Sequence, residues 1–290
     1  MSRVKIAEQI LDLSFSDQDF LERRTRAYET EEKGQADMSM SSRLLDQVTM
    51  PDGTLIHRNQ DERVYALSDG RKCKVLYDSK RERPIYSIYY NQDYSKVEIQ
   101  INQNYRLEAL QKADFEYMYS GEMFANRLTC LGAGVLHSST IVYQGVGIAF
   151  SAVSGTGKST HTGLWKRYYG NNVEILNDDK PAIRFREELP YIYGTPWSGK
   201  TELNQNQSAP LKAIIFLKRD TRNWMEPIGM AERMYNLTNQ LNLPAYEEEL
   251  CEKSVLFAKR LALAVPMYYL HCNMERQAAE VVRETLFGGN

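Results

Sequence analysis

Residues 146–160 read VGIAFSAVSGTGKST, an apolar run of strand length that ends in a glycine-bearing turn. Within it, Ala152-x-x-x-x-Gly157-Lys158-Ser159 has the Walker A spacing, with Ala in place of the first glycine. The residue types suit an anion. Glycines let backbone N–H groups turn inward onto a triphosphate, the Lys158 ammonium reaches the outer phosphates, and the Ser159 hydroxyl can ligate Mg²⁺. The following stretch, 159–169, reads STHTGLWKRYY and stops at Gly170, which predicts a helix whose positive end faces the anion. A glycine-rich turn without a ligand would not require this strand–turn–helix context. Ser154, Gly155, Thr156, Gly157, Lys158, Ser159 and Thr160 are therefore the candidate contacts to a nucleoside triphosphate.

Working outward, residues 136–143 (LHSSTIVY) precede a Gln144-Gly145 turn and the loop strand, which predicts a hairpin feeding the loop. Downstream, 173–179 (VEILNDD) is a short apolar strand ending in Asp178 and Asp179. Runs at 213–219 and 266–272 predict further core strands, and 275–286 an amphipathic closing helix. Strand, phosphate loop, helix and acid-ended strand are the core of an α/β P-loop domain. Two adjacent carboxylates in extended chain point to opposite sides, so they suit two separate tasks. One can hold Mg²⁺ and the other can accept a proton from an incoming hydroxyl. On the residues alone, His137 reads as a core histidine, and His161 as structural or nucleotide-adjacent.

The Leu136-His137 pair, the hairpin, Ser154–Ser159 and Asp178-Asp179 follow the order and spacing of HPr kinase/phosphorylase, which the stretch from 136 to about 185 resembles. That family shares a P-loop group with phosphoenolpyruvate carboxykinase. The resemblance implies an ATP- and Mg²⁺-dependent kinase fold over residues 111–290. It implies Asp178 as general base, Asp179 with Ser159 as metal ligands, His137 as the partner that orients the base, and Lys158 on the phosphates. Thr160 stands where HPr kinases carry Glu, and their Gly-rich, Arg-bearing downstream segment is replaced by YGTPWSGKTELN at 193–204. Within that loop Lys200, and beyond it Arg219, are candidate substrate contacts. The chain is most similar to small HPr-kinase-like proteins that phosphorylate a serine of a ribosomal peptide. The implied acceptor is thus a serine in a peptide or protein. A small hydroxyl metabolite such as free serine, or a nucleotide-sensing module without catalysis, are the rival readings.

Residues 1–110 read as short strands with polar turns. Residues 4–6 and 10–15 suggest an opening strand pair, 47–56 a hairpin around Asp52-Gly53, and 64–67, 74–77, 84–90 and 96–101 a meander. The charged stretch 18–46 predicts loop with a short helix, and 107–128 a helix broken at Gly121. This β-rich half carries no phosphate motif, which assigns it to acceptor recognition or to covering the catalytic sheet.

Over 290 residues the formal net charge is −2, which argues against a nucleic-acid binder relying on a basic surface. No apolar run reaches the ~20 residues of a membrane span, and no signal-peptide core opens the chain. Cys73, Cys130, Cys251 and Cys272 are scattered without a CxxC pair, suggesting buried thiols in a reducing, cytoplasmic setting. A homo-oligomer is compatible with all of this.

Overall fold

The computed structural model describes residues 1–78, 80, 82–105, 112–244 and 246–288. The chain divides into two compact units, Met1–Cys130 with Ala245–Glu248, and Leu131–Pro244 with Glu249–Asn290. The boundary expected between residues 110 and 111 lies outside the described residues. Both units mix strands and helices, and no helix among the described residues is long and apolar enough to cross a membrane.

The first unit carries strands β1 (Ser2–Ile6), β2 (Gln9–Ser14), β3 (Met38–Leu45), β4 (Thr54–Arg58), β5 (Glu62–Ala66), β6 (Lys72–Asp78), β7 (Arg83–Tyr90) and β8 (Lys96–Asn102). They form one sheet in the order β1-β2-β3-β8-β7-β6-β5-β4. The opening pair forms as expected: β1 and β2 close through Ala7 and Glu8, both at positive φ, in the two-residue turn that matches strand twist. The meander β5 to β8 also forms. Three expectations fail. Strand β3 crosses the stretch read as loop, running parallel to β2 and β8, with Met38 and Met40 buried and Ser39 and Ser41 outward. Its Met/Ser alternation is the period of a strand, but serine's weak strand preference hid it. Asp52-Gly53 turns no hairpin; Gly53 is needed because a Cβ there would sit 2.5 Å from the Ala66 carbonyl oxygen. Gly121 does not break its helix. Beside a short helix α1 (Gln18–Thr25), α2 runs unbroken over Lys112–Cys130, burying Phe115, Met123, Phe124 and Leu128, and packs on β3 and β8. That burial outweighs the ~1 kcal/mol a mid-helix glycine costs.

The second unit contains β9 (Gly134–Val135), β10 (Ser138–Tyr143), β11 (Val146–Ser151), α3 (Lys158–Tyr169), β12 (Val173–Asn177), β13 (Ala182–Arg186), β14 (Leu189–Tyr193), β15 (Ser208–Arg219), β16 (Trp224–Pro227), α4 (Met230–Gln240), α5 (Glu248–Ala264), β17 (Met267–Cys272) and α6 (Arg276–Phe287). Parallel β11, β15 and β17 form the centre, with β10 and then β12 on one side and β16 on the other. The long strand β15 also pairs through its first residues with β14, continuing into β13 and β9. Period-2 alternation sorts the core. Ile148, Phe150, Ile215, Leu217 and Leu270 pack with Trp165 of α3 and Ala279 and Val282 of α6. Ala149, Ile214, Phe216 and Met267 pack with Leu237 of α4 and Phe257 and Leu261 of α5. The sheet is thus covered on both faces, and the phosphate loop leaves it at the C-terminal end of a central strand.

Candidate active site

The loop between β11 and α3 needs its glycines. Gly155 and Gly157 hold φ of 79° and 121°, where side-chain-bearing residues are strained. No side chain caps the start of α3 at Gly157, which leaves its first N–H groups without a capping acceptor. Ser154, Gly155, Ser159 and Thr160 are exposed, and Thr156 and Gly157 partly so. From below, the exposed Arg219 at the end of β15 donates to the carbonyls of Gly155 and Thr156. Since C=O and the next N–H point oppositely across a trans peptide, this bracing turns the amide of Gly157 away from Arg219. Arg219, expected as a substrate contact, thus braces the loop backbone.

Lys158 is buried, and its ammonium donates to the Ala152 carbonyl at 2.9 Å. Burial pulls its pKa below the usual lysine value; Asp179 and Asp178 pull the other way without making up the loss.

The two acids lie at the exit of β12, which runs in the direction of β11 with β10 between them. The strand ends are thus two spacings, ~10 Å, apart. Asn177 fixes the turn by accepting the backbone N–H groups of Asp179 and Lys180 at 2.9 and 2.7 Å. Asp178 is buried and fully engaged: Ser139 donates to one carboxylate oxygen at 2.6 Å and Thr201 to the other at 2.8 Å. Ser139 in turn shares a 2.8 Å hydrogen bond with Thr162 of α3, tying the acid to the loop helix. Asp179 is half-exposed, with His137 Nε2 at 3.3 Å from its carboxylate. The histidine thus faces Asp179, not Asp178 as the resemblance implied. Its backbone is pinned as well, its N–H donating to Gln240 and its carbonyl accepting from Ser151 of β11.

The loop at 193–204 reaches the site through residues the sequence did not single out. Lys200 is exposed, whereas its neighbour Thr201 bonds Asp178 and Gly199 lies against the Asp179 side chain. Gly194 lets the loop in, since a Cβ there would fall 1.9 Å from the Gln205 carbonyl oxygen. Ser139 had a local signal, being a polar residue on the face of β10 that Ile141 and Tyr143 turn to the α3 core. Thr201 had none. His161 is fully buried; it accepts from Trp165 Nε1 at 3.3 Å, and burial pushes its pKa down to about 3, so it is a neutral core histidine.

Among the described residues no three His, Cys, Asp or Glu side chains cluster to hold a metal by themselves. Mg²⁺ needs no such cage where phosphates and water complete its shell. The exposed Ser159 hydroxyl and the strand-end carboxylates form a hard-oxygen donor set that fits it. All four cysteines are free, with Cys73 buried and the others half-buried.

No protein-family model matches this chain, and no curated protein matches it. Among solved structures, the HPr(Ser) kinase/phosphatase from Coxiella burnetii is similar at a TM-score of 0.32 and 8% identity, over 52% of this chain and 95% of that one.

Proposed function

We propose that the protein is an ATP- and Mg²⁺-dependent kinase that phosphorylates a serine hydroxyl in a peptide or protein. The observation that carries this reading is the gathering of three things at one end of the sheet: a buried lysine without a carboxylate within bonding distance, an exposed helix N-terminus, and a His–Asp pair. A module that only bound nucleotide would need the first two and not the third.

Lys158 and the N–H groups at the start of α3 hold the phosphate oxygens and oppose the charge that grows on them during transfer. Mg²⁺, when bound, would neutralise phosphate charge, and Ser159 and Asp178 are the residues that would hold it. The proximity of His137 to Asp179 supports giving the two acids the reverse of the roles expected of them. Asp179, accessible and paired with His137, takes the acceptor hydroxyl proton as the serine oxygen bonds to the γ-phosphorus and the bond to the β-phosphate oxygen breaks. Asp178, locked by Ser139 and Thr201, keeps the ligand geometry fixed. The β-rich first unit is assigned to acceptor recognition, since an exposed strand edge can hold an extended peptide.

The test is transfer of labelled γ-phosphate from ATP with Mg²⁺ to serine-containing peptides, with free serine in parallel and Lys158→Ala as control. Peptide phosphoserine that disappears in the control supports the reading. Label on free serine alone moves the acceptor to a metabolite, and nucleotide binding without transfer to any acceptor overturns the kinase.

A further inference from the structure

A cavity of about 220 Å³ opens beside the phosphate loop, sharing Thr156, Gly157 and Thr160 with it. Its other walls include Leu164 and His161 of α3, Leu217 of β15, Cys272 at the end of β17 and Met274 beyond it. We propose that this cavity is a purine-base subsite, taking the ring of the nucleotide whose phosphates lie on the loop. The inference rests on the phosphate-loop reading and adds to it the place where the base of the nucleotide is held.

Three features favour a neutral ring over a further phosphate. The cations nearby are spent elsewhere: Arg219 on the loop carbonyls, and Lys218, by the alternation of β15, over the ring of Tyr269 at 3.3 Å. Asp220 turns one carboxylate oxygen back to the N–H groups of Thr221 and Arg222. His161 is uncharged, and burial also holds the Cys272 thiol protonated, with its pKa up to about 11. What remains is the apolar wall of Leu164, Leu217, Cys272 and Met274, which suits the faces of a heterocycle, with the uncharged polar side chains of Thr156, Thr160 and Asn273 able to meet its edge. The size agrees. The volume lies below the ~300 Å³ of sites that take a whole drug-sized ligand, so it fits one ring system and leaves sugar and phosphates outside, toward Gly157. His161, one of the lining residues, also holds a second ring nitrogen, Nδ1, that is buried with no hydrogen-bond partner.

The experiment compares binding of ATP, GTP and inorganic tripolyphosphate, each with Mg²⁺, by calorimetry on the full chain. The subsite predicts that at least one purine nucleotide binds about tenfold or more tightly than tripolyphosphate, the gain expected of burying a ring's apolar surface. Leu164→Trp, which fills the cavity, should erase that difference while leaving tripolyphosphate affinity unchanged. That second value shows the variant is folded. Met274→Trp, at the exposed rim, gives an independent variant whose added emission should change with ATP or GTP and not with tripolyphosphate. If all three ligands bind the wild type within about twofold, or if both variants keep the purine advantage, the base subsite is wrong and the phosphate loop stands. If none of the three binds, the phosphate-loop reading falls and the subsite with it.

Discussion

Among the residues whose burial is described, each unit buries one lysine, and the two are solved in opposite ways. In the first, Lys74 lies between Glu122 and Glu62, each at 2.8 Å. Burial alone would lower its pKa, but the two carboxylates outweigh it and leave it raised. In the second, Lys158 has a carbonyl as its bonded partner, and its pKa is lowered by burial despite Asp179 and Asp178 nearby. A lysine with its charge matched holds structure together. One whose charge is desolvated and unmatched costs stability and attracts an anion, the arrangement expected of a phosphate grip.

The comparison breaks most directly by removing each charge. Lys158→Met should lower phosphoryl transfer by roughly 10²–10³-fold, the ~3–4 kcal/mol such contacts give a transition state, and leave the denaturation midpoint equal or higher. Lys74→Met should instead destabilise by about 3 kcal/mol, because it strands two half-buried carboxylates against each other, with transfer unchanged in whatever fraction stays folded. Urea unfolding and labelled transfer on both variants decide it. Equal stability losses would mean that the lysines do not differ as described.

The carboxylates sharpen the same contrast. Asp179→Asn should cut turnover by about 10²-fold with nucleotide affinity kept, as for loss of a general base. His137→Gln should cost less, about tenfold, because it only holds that base. Asp178→Asn should raise the Mg²⁺ concentration needed for half-maximal turnover. A Mg²⁺ requirement raised by Asp179→Asn in place of Asp178→Asn would reverse the assignment.

A buried group with no charge to match gives a smaller, pH-dependent effect. His161 is held neutral, with its pKa down from 6.5 to about 3 in the fold. The unfolded chain takes up that proton first as pH falls. The contribution is therefore intact above about 6.5 and is lost between there and about 3, at a slope approaching ~1.4 kcal/mol per pH unit. His161→Gln keeps an acceptor for Trp165 and should flatten that limb in urea midpoints measured from pH 7 to 4. An unchanged limb would show that other groups set the acid sensitivity.

The smallest effect concerns the prop beneath the loop. Arg219→Gln should weaken nucleotide binding only a few-fold, since the guanidinium is exposed and its hydrogen bonds to two carbonyls are partly replaced by water.

The sequence by itself determined the parts that are locally encoded. The loop and its glycines, the hairpin through Gln144-Gly145, the helix ending at Gly170 and the acid-ended strand are all short-range patterns of φ, period and capping, and each formed where it was read. The meander of the first unit was legible for the same reason. Hidden were β3, whose serines carry little strand preference, and the helices α4 and α5 with the hairpin β13–β14, which carry no motif to draw attention. Only the tertiary structure decided which acid meets His137, that Ser139 and Thr201 clamp the other, and that Arg219 donates to the loop carbonyls. These partners come from strands and loops far apart in the chain. Their meeting depends on sheet order and on the close approach Gly194 allows, and neither is written in any local spacing.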